Sequence, residues 1–215
     1  MRMIHTRILT FLVGLIFFTN VHAIVDSNAT IETKTLFQNL KSLQGKGTLF
    51  GHQNAEKEGH GWLRTGVSDV YKVSGKYPGV VGFDFKDVLQ YYSTYFDFFL
   101  EKVKLAHEKG AVVTFSWHSY NPLTTRTFYD KTPAIDRILP GGDRHEYFKG
   151  RLDVIAKFAN RALDAEGKLI PIIFRPWHEH NHKWFWWGNS KKSGKAAEQE
   201  FINLWRFTVH YLRDV

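Results

Sequence analysis

The chain has 215 residues, a formal net charge of +8, 43% hydrophobic residues and no cysteine. The absence of cysteine excludes a disulfide framework and a lipid-anchoring cysteine. Lysines and arginines are scattered, and most lie beside Asp or Glu on predicted helix faces, which favours a solvated surface over a nucleic-acid-binding stripe.

The first 23 residues have the pattern of a secretory signal peptide. Arg2 and Arg7 provide a basic start, residues 8–18 form an apolar run, and Val21 and Ala23 offer small residues at the outer and inner cleavage positions. The apolar run is too short to span a bilayer. We therefore expect a signal peptide over residues 1–23, a mature domain over 24–215, and a secreted or periplasmic protein that has no membrane partner after cleavage.

Strands and helices alternate along the rest of the chain, without internal repeats or a low-complexity linker. In order, the patterns predict a helix at 31–43, a strand at 48–50, a helix at 67–73, a strand at 79–85, a helix around 96–106, a strand at 111–117, a helix at 145–166, a strand at 169–175 and a helix around 201–212. This alternation predicts an α/β fold in which a parallel sheet is connected by right-handed crossovers.

The segment 170–188 is the most informative part of the sequence. An apolar stretch of β type leads into Arg175, His178 and Glu179 and then into a group of aromatic residues. In a (β/α)8 barrel the catalytic groups project from the carboxyl ends of the strands, so this pattern places Glu179 at the mouth of such a barrel. The simpler interpretation is a structural ion pair between Arg175 and Glu179. The aromatic residues are Trp184, Phe185, Trp186 and Trp187.

A zinc site is a competing interpretation of the same segment. His178 and His182 satisfy the pattern H-E-x-x-H, in which two imidazoles on one helix face bind zinc. That pattern needs a helix. Pro176 and the preceding β-type run favour extended geometry instead, so we expect no metal and no cofactor.

The run from Arg175 to Glu179, followed by Trp184 to Gly188, resembles the signature of glycoside hydrolase family 26. Supporting matches lie at 49–53, 79–84, 113–118 and 139–142. The resemblance implies a (β/α)8 TIM barrel of which this chain supplies about the first four βα units, so that residues 24–215 would be a partial catalytic domain. Many family members carry a small residue where His182 stands.

The resemblance also implies an activity, namely retaining hydrolysis of internal β-1,4-mannosidic bonds. Glu179 on the fourth strand would be the general acid/base, and the nucleophile, another Glu, would come from a seventh strand that this chain lacks. The expected partner is β-mannan or a manno-oligosaccharide, with no nucleic acid, and the complete protein is expected to be a monomer. Related β-glucanase or β-1,3-xylanase activity, a catalytically incomplete sugar-binding fragment, and a zinc hydrolase using His178 and His182 remain alternatives.

The remaining candidate site residues follow strand ends or the aromatic run. Trp184 is the expected stacking platform for a sugar ring, and Arg175 is expected to point away from Glu179. Asp84 is expected as a hydrogen-bonding support rather than as a nucleophile. The expected substrate contacts are His178, His118 after the third strand, and His52 after the first.

Overall fold

A computed structural model describes residues 24, 26–55, 68–90 and 92–215, without the side chains of 92–94. The expected signal peptide over 1–23 lies outside the described residues, as does the first residue of the helix expected at 67–73. Within the described part of the chain, no helix is both long and apolar enough to cross a membrane.

Four strands form one parallel sheet in chain order, which confirms the predicted α/β fold. The strands are β1 (Gly51–Gln53), β2 (Val80–Asp84), β3 (Val112–Ser116) and β4 (Ile172–Arg175). The helices are α1 (Ile31–Leu43), which precedes β1; α2 (Asp69–Ser74), α3 (Phe85–Gln90), α4 (Tyr92–Glu108), α5 (Ile135–Ile138) and α6 (His145–Arg161), which lie between strands; and α7 (Lys195–Asp214), which follows β4. A 3-10 turn spans Trp186–Gly188.

Several predicted boundaries are wrong: the fourth strand begins at Ile172 rather than at residue 169, and two further differences have identifiable reasons. The first strand is three residues later than expected, because pairing with β2 begins at Gly51 opposite Val80. Helix α6 ends at Arg161, five residues before the expected end, because the chain turns back in a short loop. In that loop the Asp164 carboxylate accepts from the backbone N–H groups of Glu166 and Lys168. The short helices α3 and α5 were not predicted.

The register of the sheet sorts its side chains into two faces. Partners in a parallel ladder point to the same side, and successive residues alternate. Val81 aligns with Val113 and Phe83 with Phe115, and all four side chains are buried. The opposite face carries the aligned rows Gln53, Gly82, Thr114, Ile173 and Asp84, Ser116, Arg175.

The main hydrophobic core lies between the first face and the helices, and its centre is aromatic. The Phe115 ring stacks on Phe85 with centroids 4.3 Å apart and meets the Phe158 ring of α6 edge-on at 5.3 Å. Phe83 meets Phe99 of α4 edge-on at 5.8 Å. The helices are therefore fixed against the sheet by interlocking rings, and this packing holds the carboxyl ends of the strands in place.

We expect Phe115→Ala to lower the free energy of unfolding by about 3–5 kcal/mol, because it leaves a cavity among rings that cannot collapse freely. Chemical denaturation monitored by circular dichroism measures this change. Phe50→Ala is the matched control, since Phe50 is 64% exposed and a surface change costs about 0.5 kcal/mol or less. Equal losses in the two variants would contradict the core described above.

Candidate active site

The carboxyl ends of β2, β3 and β4 meet at one edge of the sheet and bring four predicted residues together. Asp84 is the last residue of β2, His118 lies two residues beyond β3, and His178 and Glu179 follow β4. The rings of His118 and His178 contact each other edge-on, with centroids 4.5 Å apart. These residues form the candidate active site.

Asp84 is a buried carboxylate with both oxygens engaged. One oxygen accepts from the backbone N–H groups of Lys86 at 2.8 Å and His118 at 3.0 Å. The other accepts from the Ser116 hydroxyl at 2.8 Å and contacts Nδ1 of His118. Burial alone would raise the pKa of Asp84, but the hydrogen bonds and the charge of His118, together with the Lys86 N–H, lower it to about 2.

His178 contacts His118 on the side away from Asp84, so that the three residues form one series of polar contacts. Its Nε2 lies 3.2 Å from Nε2 of His118, and its carbonyl oxygen accepts from the Trp187 indole at 2.8 Å. Its Nδ1 is buried and has no partner among the described residues. Burial, followed by the nearby positive charges of His118 and Arg175, lowers the pKa of His178. The lowered pKa favours the neutral form of the His178 imidazole, and its buried Nδ1 is left without a hydrogen-bond partner among the described residues.

The turn that carries His178 and Glu179 has an unusual backbone. Trp177 has φ of 53° and Glu179 has φ of 57°, in the left-handed region that non-glycine residues rarely occupy. The Trp177 indole is buried, donates to the Thr208 hydroxyl of α7 at 3.1 Å, and packs on Trp117 at 5.1 Å. Because both neighbours of His178 are left-handed, the turn sends the imidazole inward and the Glu179 carboxyl outward.

The helix required by the zinc interpretation is not formed. Residues 178–182 are turns and a bend, so His178 and His182 do not share a helix face. His178 is buried, whereas His182 is exposed and stacks on Trp184. Among the described residues, no cluster of three or more His, Cys, Asp or Glu side chains is arranged to hold a metal ion.

Glu179 is exposed, and its carboxylate accepts a hydrogen bond from the Trp184 indole at 3.0 Å. Trp184 is itself 42% exposed, whereas the three aromatic residues after it are buried. Phe185 and Trp187 stack on each other at 4.4 Å, and the Trp186 indole donates to the Ser119 carbonyl. Within the aromatic run, Trp184 alone thus offers an open indole face beside Glu179.

Arg175 and His52 occupy different positions in the sheet. Arg175 aligns with Asp84 and Ser116, which places it on the face that carries the site, and among the described residues it forms no ion pair with Glu179. The expected position of His52 after the first strand is wrong. It lies inside β1, in register with Val81, and so on the helix-facing side. This register does not support a substrate contact from His52.

Sequence reasoning did not identify two residues that support the site. Ser116 is the last residue of β3 and lies in register with Asp84 at the end of β2, a pairing that only the folded sheet shows. Thr208 lies on α7, 31 positions after its partner Trp177, and no local pattern predicts this contact. Such long-range contacts require the packed structure.

Comparison with known proteins places the chain in a family. The model of glycosyl hydrolase family 26 matches residues 25–215. A mannan endo-1,4-beta-mannosidase of Bifidobacterium adolescentis is 42% identical over 204 residues, which are 89% of this chain and 20% of that protein. The chain therefore spans about one fifth of this relative.

Solved structures agree with the sequence match. A modular endo-beta-1,4-mannanase from Cellulomonas fimi superposes with a TM-score of 0.80 and 38% identity, over 89% of this chain and 44% of that one. A GH26 beta-mannanase from Bacteroides ovatus gives a TM-score of 0.77 and 36% identity, over 86% and 55%. The chain thus matches barrel structures of the family over about half their length. On this agreement of sequence and fold, the chain belongs to glycosyl hydrolase family 26.

Proposed function

We propose that this chain carries the proton-donor side of a secreted, retaining endo-β-1,4-mannanase, with Glu179 as general acid/base. The observation that carries the proposal is the position of Glu179: an open carboxyl at the carboxyl end of β4, hydrogen-bonded to the one exposed indole of the aromatic run. In a barrel enzyme this end of the strands is where catalytic groups lie. The similarity to a mannan endo-1,4-beta-mannosidase and to an endo-beta-1,4-mannanase supports β-mannan or manno-oligosaccharides as the substrate.

Retention of configuration requires a second carboxyl group about 5–5.5 Å from the first. Asp84 is poorly suited to this role, because its two oxygens already accept from Lys86, His118 and Ser116. We therefore place the nucleophile on a strand beyond the four described here, as the family resemblance implies. Arg175, on the interior face, is proposed to orient that nucleophile rather than Glu179.

In the proposed reaction, Glu179 donates its proton to the glycosidic oxygen while the nucleophile attacks the anomeric carbon. Water then attacks the covalent intermediate, and Glu179 takes a proton from it. Trp184 stacks on a sugar ring at the cleavage point, and the neutral His178 hydrogen-bonds to a sugar hydroxyl or to the nucleophile. Asp84 fixes the orientation of His118, which in turn contacts His178.

The sequence supports two further parts of this proposal. We propose that residues 1–23 are a signal peptide and that residues 24–215 belong to the catalytic domain of an exported protein. N-terminal sequencing of the protein recovered from its natural producer tests the first part: a mature chain that begins near Ile24 is expected, and retention of the leader would contradict it.

A mannan-binding protein without hydrolytic activity is the second candidate. One observation favours it: Glu179 is the one open carboxylate that the described strand ends provide, and exposed aromatics such as Trp184 and Tyr129 are suited to sugar binding. Binding of mannohexaose without release of shorter products would favour this candidate over the enzyme.

We expect Glu179→Ala, in the natural full-length polypeptide, to lower kcat/KM for manno-oligosaccharides by about 10²–10⁴-fold, the usual contribution of general acid/base catalysis. A dinitrophenyl β-mannobioside, whose leaving group needs no proton, should lose much less kcat/KM. Azide should accelerate turnover of this activated substrate and yield the β-azide, because it replaces the water that Glu179 would activate. Liquid chromatography and NMR spectroscopy of the products measure each effect.

Glu166→Ala is the matched control for this experiment. Glu166 is an exposed carboxylate in the turn before β4, at the opposite end of that strand from Glu179. Its removal should leave kcat/KM within twofold of the original value. If Glu179→Ala were equally harmless, Glu179 would not be the acid/base.

We expect Asp84→Asn to destabilise the fold more at pH 6 than at pH 2. The pKa of Asp84 is lowered from 3.8 to about 2 in the folded state, so its charge contributes stability that is present above about pH 4 and is lost as the pH falls through about 2. The gap in unfolding free energy between the original protein and the variant should shrink by roughly 2 kcal/mol over this range. Urea denaturation at several pH values measures it, and a constant gap would contradict the ionised state assigned to Asp84.

A further inference from the structure

The loop after Glu179 folds back on Glu179 through His182 and Trp184. The His182 ring stacks on the Trp184 indole with centroids 4.2 Å apart and an interplanar angle of 16°. The Trp184 indole in turn donates to the Glu179 carboxylate at 3.0 Å. One imidazole thus contacts the indole that holds the proposed proton donor.

The backbone of His182 has contacts on both sides, which hold the residue from which the ring extends close to Glu179. Its N–H donates to the Glu179 carbonyl oxygen at 3.0 Å. Its own carbonyl oxygen packs so closely against Gly188 that a Cβ at that position would clash with it. His182 is therefore linked to Glu179 in two ways. Its backbone bonds to the Glu179 backbone, and its ring stacks on the Trp184 indole that donates to the Glu179 carboxylate.

The stack also determines which side of Trp184 a ligand can use. An imidazole parallel to an indole at this distance covers one of its two faces. Trp184 nevertheless remains 42% exposed, which leaves the other face and the ring edge open. A sugar ring that stacks on Trp184 is thereby restricted to one side, and its glycosidic oxygen is presented to Glu179 in one orientation.

We propose that His182 is a positioning residue, which acts through the orientation of Trp184 on both the Glu179 carboxylate and the bound sugar ring. This proposal rests on the function proposed above for Glu179. The role requires a flat ring at position 182 rather than a hydrogen bond or a charge, because the contact with Trp184 is face to face. A phenyl ring at position 182 should therefore preserve the positioning of Trp184, whereas a methyl group should not.

The kinetic test compares His182→Ala with His182→Phe in the natural full-length polypeptide, with mannohexaose as substrate. We expect the alanine variant to lose about fivefold in kcat/KM, the size that a single aromatic pair contributes, and the phenylalanine variant to stay within twofold. An unchanged alanine variant would overturn the proposal. Equal losses in both variants would also overturn it, because the imidazole would then act through its nitrogens.

His180→Ala is the matched control. His180 is an exposed histidine in the same loop and is also stacked on an aromatic ring, that of Phe201, at 4.0 Å and 11°. It has no contact with Trp184 or with the Glu179 carboxylate in the described structure. We expect its removal to leave kcat/KM within twofold, and a loss equal to that of His182→Ala would assign the effect to the loop as a whole and overturn the proposal.

A second readout does not depend on catalysis. The protein is labelled with 5-fluorotryptophan, and the ¹⁹F signal of Trp184 is assigned by its disappearance in Trp184→Phe. This signal should shift in His182→Ala and stay in place in His180→Ala; an unshifted signal in the former would overturn the stack itself. If Glu179→Ala kept full hydrolysis while the shift was observed, the proposed function would fail and the contact between His182 and Trp184 would stand.

Discussion

The burial of Trp177 is the interaction on which the geometry of the site depends. Trp177 and Glu179 both adopt left-handed backbone conformations, and each such residue costs about 1–3 kcal/mol. Burying an aromatic side chain of about 150–250 Å² stabilises by roughly 4–6 kcal/mol. The Trp177 indole is 1% exposed, and the Thr208 hydroxyl accepts from its N–H. The packing of this one ring against α7 therefore offsets the strain that directs His178 inward and Glu179 outward.

The second constraint is the register of the parallel sheet. Because Asp84, Ser116 and Arg175 are aligned partners, their side chains share one face at the end of three successive strands. If one of these strands shifted by one residue, the side chain that it contributes to this row would point toward the helices instead. The rings of Phe83, Phe115 and Phe174 form the neighbouring row and are held by the helices. The hydrophobic core thus fixes the register, and the register determines which polar side chains meet at the site.

The sequence was sufficient to predict the positions that follow directly from strand ends. Glu179, His178, His118 and Asp84 each lie within a few residues of the end of an apolar β-type run, and the parallel fold brings these ends together. His52 was misplaced because Leu49 and Phe50 are apolar but β1 begins only at Gly51, where a partner strand is available. The exposed side chains of Leu49 and Phe50 show that local hydrophobicity is a weaker determinant of a strand boundary than pairing.

Other parts of the site depend on contacts that a sequence pattern does not encode. The left-handed conformations of Trp177 and Glu179 are not expected from residue type, since neither is glycine, asparagine or aspartate. The stack of His182 on Trp184 requires a turn between two residues that are two positions apart, and Gly188 lies close to the His182 carbonyl oxygen in this turn. In a helix the two residues would not face each other, because positions two apart lie on different faces. The non-helical turn that argues against a shared zinc site for His178 and His182 is therefore the same feature that places the His182 imidazole on Trp184 and, through it, beside Glu179.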